Sequence, residues 1–102
     1  MEETLSIIKY RPLKGCEDQF EKELKKLYQI NKESGFADKA NVKFTRLDDG
    51  SFIQIMICPN MDVLVEEQDE GLDWLDSVDH LLQKDEYGSR TEAVTGFTFN
   101  WS

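Results

Sequence analysis

The sequence is poor in cysteine, proline and histidine, since its 102 residues include two Cys, two Pro and one His. Two cysteines are too few for a disulfide scaffold, so we expect a protein of the reducing cytoplasm. No apolar run approaches the roughly 20 residues that a membrane-spanning helix needs. The N-terminus also lacks the basic and apolar regions of a signal peptide. We therefore expect no membrane partner.

Basic residues are scarce in the second half of the chain. Residues 52–102 contain two Lys or Arg against eleven Asp or Glu, which accounts for the formal net charge of −9. Proteins that bind nucleic acids or anionic membranes depend on clustered Lys and Arg, so the charge argues against both partner classes. The ordinary interpretation of the acidic half is a solvated helix face.

The apolar residues that are present predict one domain over residues 1–102, beginning with a strand at residues 5–10. Phe20, Leu24, Leu27 and Tyr28 then recur at helical spacing, which predicts a helix that starts near residue 16 and ends near Gly35. Two β-rich runs follow at residues 42–47 and 51–58. They flank Asp48-Asp49-Gly50, which predicts a hairpin with a loop of more than two residues.

The second hairpin strand is apolar at nearly every position, as is typical of a strand covered on both faces. Residues 61–86 predict a second helical region, with a break near Gly71 because glycine costs about 1 kcal/mol inside a helix. The expected apolar stripe of this region is Leu72, Leu75, Val78 and Leu82. Residues 91–101 predict a last strand, with Phe97, Phe99 and Trp101 on one face.

The element order β-α-β-β-α-β predicts an α+β fold of the ferredoxin-like type. This is a two-layer sandwich with two helices on one face of a four-stranded antiparallel sheet in the order 4-1-3-2. Two helices cover one face only, so we expect the other, apolar face to form a homodimer about a two-fold axis. With strands one and three taken as parallel neighbours, Cys16 and Cys58 are expected at one sheet edge, either as a redox pair or as two unrelated thiols.

The element order, the length, the apolar third strand and the aromatic last strand resemble the dimeric α/β-barrel superfamily. Within it, the chain looks most like the antibiotic-biosynthesis-monooxygenase-like (ABM-like) group, over about residues 4–101. The resemblance is one of pattern and includes no diagnostic motif. It implies a dimer that closes into an α/β barrel, with a cavity between the helices and the sheet. It also implies chemistry without a cofactor, and a single His gives no support to a metal site.

The residues that could supply polar groups to such a cavity are Tyr10, Tyr28, Trp74, His80, Asn100 and Trp101. We assign catalysis to His80 and Tyr10, because histidine is the one side chain whose ordinary pKa lies near neutrality. The other four are assigned to a substrate pocket. The alternative is that the tyrosines and tryptophans are core residues. Trp74 and His80 also invite comparison with haem-degrading relatives, but the first strand lacks the Asn that those relatives use.

Three functions stay open at this point. The first is a cofactor-independent monooxygenase acting on a small aromatic or apolar molecule. The second is a dimer that binds a small ligand without turnover, and the third is an interaction dimer whose interior is filled. An open cavity with His80 or a tyrosine hydroxyl favours the first function. An open cavity without a titratable group favours the second, and a packed interior favours the third.

Overall fold

Four strands and two long helices follow one another as expected, with two short additions. In the computed structural model, which describes residues 2–99, the strands are β1 (Thr4–Tyr10), β2 (Asn41–Arg46), β3 (Phe52–Cys58) and β4 (Thr91–Phe97). The helices are α1 (Glu17–Ser34), α2 (Phe36–Lys39) and α3 (Met61–Val78), followed by a 3-10 turn at Asp79–Leu81. The sequence pattern did not predict α2 or the 3-10 turn. No helix in the described chain has the length and apolar character needed to cross a membrane.

The four strands form one antiparallel sheet in the order β2-β3-β1-β4. This is the predicted order 4-1-3-2 viewed from the other edge, so the α+β architecture is confirmed and is compatible with a ferredoxin-like fold. The hairpin between β2 and β3 has a loop at residues 47–51, longer than two residues as predicted. Helix α1 also agrees with its prediction, since it ends at Gly35, whose φ of 88° is left-handed.

The predicted parallel pairing of β1 with β3 is wrong. The two strands are antiparallel, with Thr4 opposite Cys58 and Tyr10 opposite Phe52. Cys58 therefore lies where β1 begins, whereas Cys16 follows the end of β1. The seven residues of β1 separate the two ends by about 20 Å at the usual rise per residue. Both cysteines are free, and the expectation that they share one sheet edge is corrected.

One face of the sheet packs against the helices. Alternate residues of β3 are buried on this side, and Tyr10 and Phe52 join Phe20 of α1 and Trp74 of α3 in the main core cluster. The opposite side, which we call the open sheet face, has an apolar patch bordered by polar and charged residues. The patch consists of Leu5, Ile7, Ile53, Ile55, Ile57 and Val94, and the bordering residues are Lys9, Asn41, Lys43, Thr45 and Glu92. Ile7 is 36% exposed and Val94 is 66% exposed. Within a single chain, β3 is thus covered on one face rather than two.

The predicted break of helix α3 at Gly71 is wrong, because the helix runs continuously through this residue. Its buried residues are Leu64, Glu67, Trp74 and Val78, so the stripe is displaced from the predicted one. Leu72 is 54% exposed, and Leu82 is buried beyond the helix end, where it bridges to Pro12. A Cβ on Gly71 would lie 2.7 Å from Oε1 of Glu67, so this glycine accommodates a close side chain.

The last strand is shorter than predicted. β4 ends at Phe97, and Phe99 lies beyond it with 87% of its surface exposed. By its pairing with Thr4, Phe97 is on the helix side of the sheet, although it is 53% exposed. The predicted continuation through Trp101 falls outside the described residues.

Candidate functional site

A cavity of about 280 Å³ lies between α3 and the part of the sheet formed by β1, β3 and β4. We call it the helix–sheet cavity. Its apolar lining includes Ile8, Leu27, Met56 and Leu75, and it is bounded towards β4 by Ala93. Its polar lining residues are Ser6, Tyr10, Gln54, Glu67, Gln68, Thr91 and Thr95. A mostly apolar concave surface with a few converging polar groups is the usual form of a small-molecule site.

Tyr10 lies at the end of β1 with its ring 4% exposed and its hydroxyl directed at β3. The hydroxyl donates a hydrogen bond to Oε1 of Gln54 at 2.6 Å. Burial raises the pKa of Tyr10 well above its ordinary value, and the charge of Glu67 raises it further. Tyr10 therefore stays protonated at neutral pH and acts as a hydrogen-bond donor rather than as a base.

Trp74 supplies an aromatic wall from α3. Its ring is edge-on to Tyr10, with centroids 5.8 Å apart, and packs at 5.9 Å from Phe20. Its indole N–H donates to the backbone oxygen of Glu23 on α1 at 3.1 Å. Since that hydrogen bond satisfies the one polar group of the indole, Trp74 presents an apolar surface to the cavity.

Glu67 is the functional candidate that sequence reasoning missed. It is 9% exposed on the buried face of α3, and its carboxylate lies over Gly71. Within residues 2–99 this carboxylate has neither a hydrogen bond nor an ion pair. Burial raises the pKa of Glu67 from 4.5 to about 7, with a smaller contribution from the charge of Glu70. The cavity therefore holds a carboxyl group that titrates near neutral pH, which is the property expected earlier of His80.

The spacing of residues along α3 indicates that Glu67 is on the buried face of the helix. Leu64, Glu67, Trp74 and Val78 recur at three, seven and four residues, the spacing of one helix face. Helix α1 likewise continues its buried apolar stripe with a polar residue, because Asn31 is fully buried. No hydrogen-bond partner for the Asn31 side chain is found in the part of the chain that the structure describes. Both helices thus bring a polar group into the interior.

The other assigned residues lie elsewhere. Tyr28 is 38% exposed and packs edge-on against Phe44, in a separate groove of about 550 Å³ between α1 and β2. His80 is exposed in the 3-10 turn and does not line the helix–sheet cavity, so its imidazole is not the cavity's base. Asn100 and Trp101 lie outside the described residues. Of the six assigned residues, the structure thus brings together Tyr10 and Trp74.

Neither a metal-binding cluster nor a similar protein indicates what the cavity binds. In the described segment 2–99, no group of three or more His, Cys, Asp or Glu side chains could hold a metal ion. Trp74 lines the cavity while His80 does not, so the structure does not bring these two residues together at one site. No protein-family model, no curated protein and no solved structure matches the chain, and its function has to be inferred from the cavity itself.

Proposed function

We propose that this chain binds a small aromatic or apolar molecule in the helix–sheet cavity, in the manner of an ABM-like domain. The observation that carries the proposal is an open cavity that combines an aromatic wall, Tyr10 and Trp74, with a titratable carboxyl group, Glu67. Its volume of about 280 Å³ is at the lower limit of the usual range for ligand pockets. A molecule with a single ring suits that volume.

The same lining supports a cofactor-independent monooxygenase as the reaction. A general base with a pKa near the ambient pH is the most effective, and Glu67 has that property. Removal of a proton from an electron-rich substrate prepares it to donate electrons to molecular oxygen. One methylene carbon then becomes a carbonyl carbon, one oxygen atom is retained, and the other leaves with the two hydrogens as water. The alternative is a ligand-binding dimer without turnover.

The proposal includes a homodimer formed through the open sheet face. Six apolar residues form a contiguous patch on that face, with Lys9, Lys43 and Glu92 at its border, and a contiguous apolar patch on a protein surface marks an interaction site. A second copy of the chain offers the same patch about a two-fold axis, which would close the two sheets into an α/β barrel. We also place the protein in the cytoplasm, where the free thiols of Cys16 and Cys58 stay reduced.

The test is a binding screen of single-ring aromatic fragments, monitored by the amide and indole N–H resonances of the isotope-labelled protein. We expect bound fragments to shift the signals of Gly71, Gln54 and the Trp74 indole, because these groups belong to or border the cavity. Fragments that bind are then incubated with the protein in air. Consumption of one O₂ per oxidised product identifies the monooxygenase, and binding without consumption identifies the alternative.

The matched variants are Ala93→Phe and Ala37→Phe. Ala93 lines the cavity and Ala37 does not, so the added ring is expected to abolish fragment binding in the first variant alone. Fragments that bind the Ala93→Phe variant as well as the wild type, or that shift no cavity signal, contradict the proposal.

A further inference from the structure

Among the described residues, the charged lining of the helix–sheet cavity is negative only. Glu67 contributes an acidic group to it, and none of its lining residues in the described chain is Lys, Arg or His. A carboxylate that is taken out of water without a partner is strongly unfavourable, which is why burial keeps Glu67 protonated up to about pH 7. A cation in the cavity would reverse this preference, because the ionised carboxylate would gain a partner.

Neighbouring carboxylates make the electrostatic potential around Glu67 more negative. Glu70 precedes Gly71 on the same helix and raises the pKa of Glu67, while Glu66 forms an ion pair with Lys39 of α2 at 3.2 Å. On the sheet, burial raises the pKa of Tyr10 and of Cys58, and the charge of Glu67 raises both further, so these two groups are uncharged at neutral pH and provide no counter-ion for Glu67. Lys39, which lines a neighbouring groove together with Glu66, Glu67 and Glu70, is paired with Glu66.

The aromatic wall suits the same kind of ligand. Tyr10 and Trp74 present ring surfaces to the cavity, and the Trp74 N–H is engaged with the backbone of Glu23, so the wall is apolar towards a ligand. An apolar stem packs against these rings, while a charged head at the end of the stem reaches the carboxylate. The overall charge of −9 also attracts cations towards the protein.

We propose that the cavity selects a small apolar molecule that carries one protonated amine, with the Glu67 carboxylate as its counter-ion and the Tyr10 and Trp74 rings against its hydrocarbon part. This inference rests on the proposed function, because it specifies the ligand class of the same cavity. It adds a specificity-determining role for Glu67 that does not require turnover.

Three probes of matched size separate the ligand classes: 2-phenylethylamine, 2-phenylethanol and 3-phenylpropionate. Calorimetric titration at pH 8 and 0.15 M salt is expected to give the amine an affinity at least tenfold above that of the alcohol, with the carboxylate weakest. Glu67→Gln keeps the side-chain shape and removes the charge, so the amine should lose about tenfold while the alcohol changes by less than about threefold. The control Asp69→Asn removes an equal charge from an exposed position of the same helix outside the cavity and should leave both affinities unchanged.

Titration at a lower pH gives a second measurement on the unmodified protein. At pH 5.5 Glu67 is protonated, so the amine affinity of the wild type should fall to near that of the alcohol. Equal binding of amine and alcohol at pH 8, or an amine affinity that Glu67→Gln does not reduce, overturns the inference and leaves the proposed function standing. If none of the probes binds and no neutral fragment binds in the screen, the proposed function fails as well.

Discussion

At the scale of single residues, Glu67 gives the stability of the fold a characteristic pH dependence. Its pKa is about 7 in the folded chain against an ordinary 4.5, so between these values the unfolded chain has lost a proton that the folded chain retains. The free energy of unfolding therefore falls as the pH rises through this window and stays lowered above it. Relative to the wild type, we expect Glu67→Gln to be stabilised by about 2 kcal/mol at pH 8.5 and little changed at pH 5. Urea unfolding at the two pH values measures both.

Asp69→Asn is the matched control, because Asp69 is on the same helix but is exposed. The carboxyl groups with lowered pKa values, Asp18, Glu21, Asp49 and Asp79, affect stability at lower pH and cancel in the comparison of variant with wild type. A Glu67→Gln variant that shows the same pH dependence as the wild type would place the folded-state pKa of Glu67 near its ordinary value.

At the scale of elements, helix α3 is continuous at Gly71, and this glycine lies in close contact with the Glu67 carboxylate. Gly71→Ala should gain about 1 kcal/mol of helix propensity. In the wild type part of that gain is lost, because the new Cβ lies 2.7 Å from Oε1 of Glu67 and the carboxylate has to move. In a Glu67→Ala background the obstacle is gone, so we expect Gly71→Ala to stabilise that variant more than the wild type. Equal effects in the two backgrounds, measured by urea unfolding, would show that the residues do not interact.

How far the sequence predicted each element depends on whether its buried face is apolar. The stripe of α1 is apolar up to Leu27 and its helix stops at a left-handed Gly35, so its end and three of its four stripe residues were predicted correctly, whereas Tyr28 is 38% exposed. The buried face of α3 includes Glu67, and its apolar Leu72 is exposed, so hydropathy alone predicted the wrong stripe. Tyr10 and Trp74, which were assigned by their chemistry, line the cavity and are also core residues with hydrogen-bonded OH and N–H groups, as the alternative interpretation expected. Glu67 was missed because it is one of many acidic residues in its half of the chain, and only packing distinguishes it.

At the scale of the whole molecule, the open sheet face is the feature that a single chain leaves unexplained. The apolar pattern of β3 predicted coverage on both faces, and the helices cover the side of Phe52, Gln54, Met56 and Cys58. The other side presents isoleucines at every position of β3. This apolar pattern on both faces of β3 is the basis for proposing that a second copy of the chain packs against the open sheet face.

We expect light scattering at micromolar concentration to give about twice the chain mass of 11.9 kDa. Ile55 lies at the centre of the open sheet face, opposite Ile7 of β1 and Lys43 of β2. Ile55→Lys would bury an unpaired ammonium group in an interface of roughly 800 Å² per partner, so the variant should be a folded monomer. Leu72→Lys makes the same kind of change on the exposed side of α3 and should stay dimeric. Circular dichroism establishes that each variant is folded. The proposed interface is contradicted if the wild-type protein is monomeric at this concentration or if the Ile55→Lys variant remains a dimer.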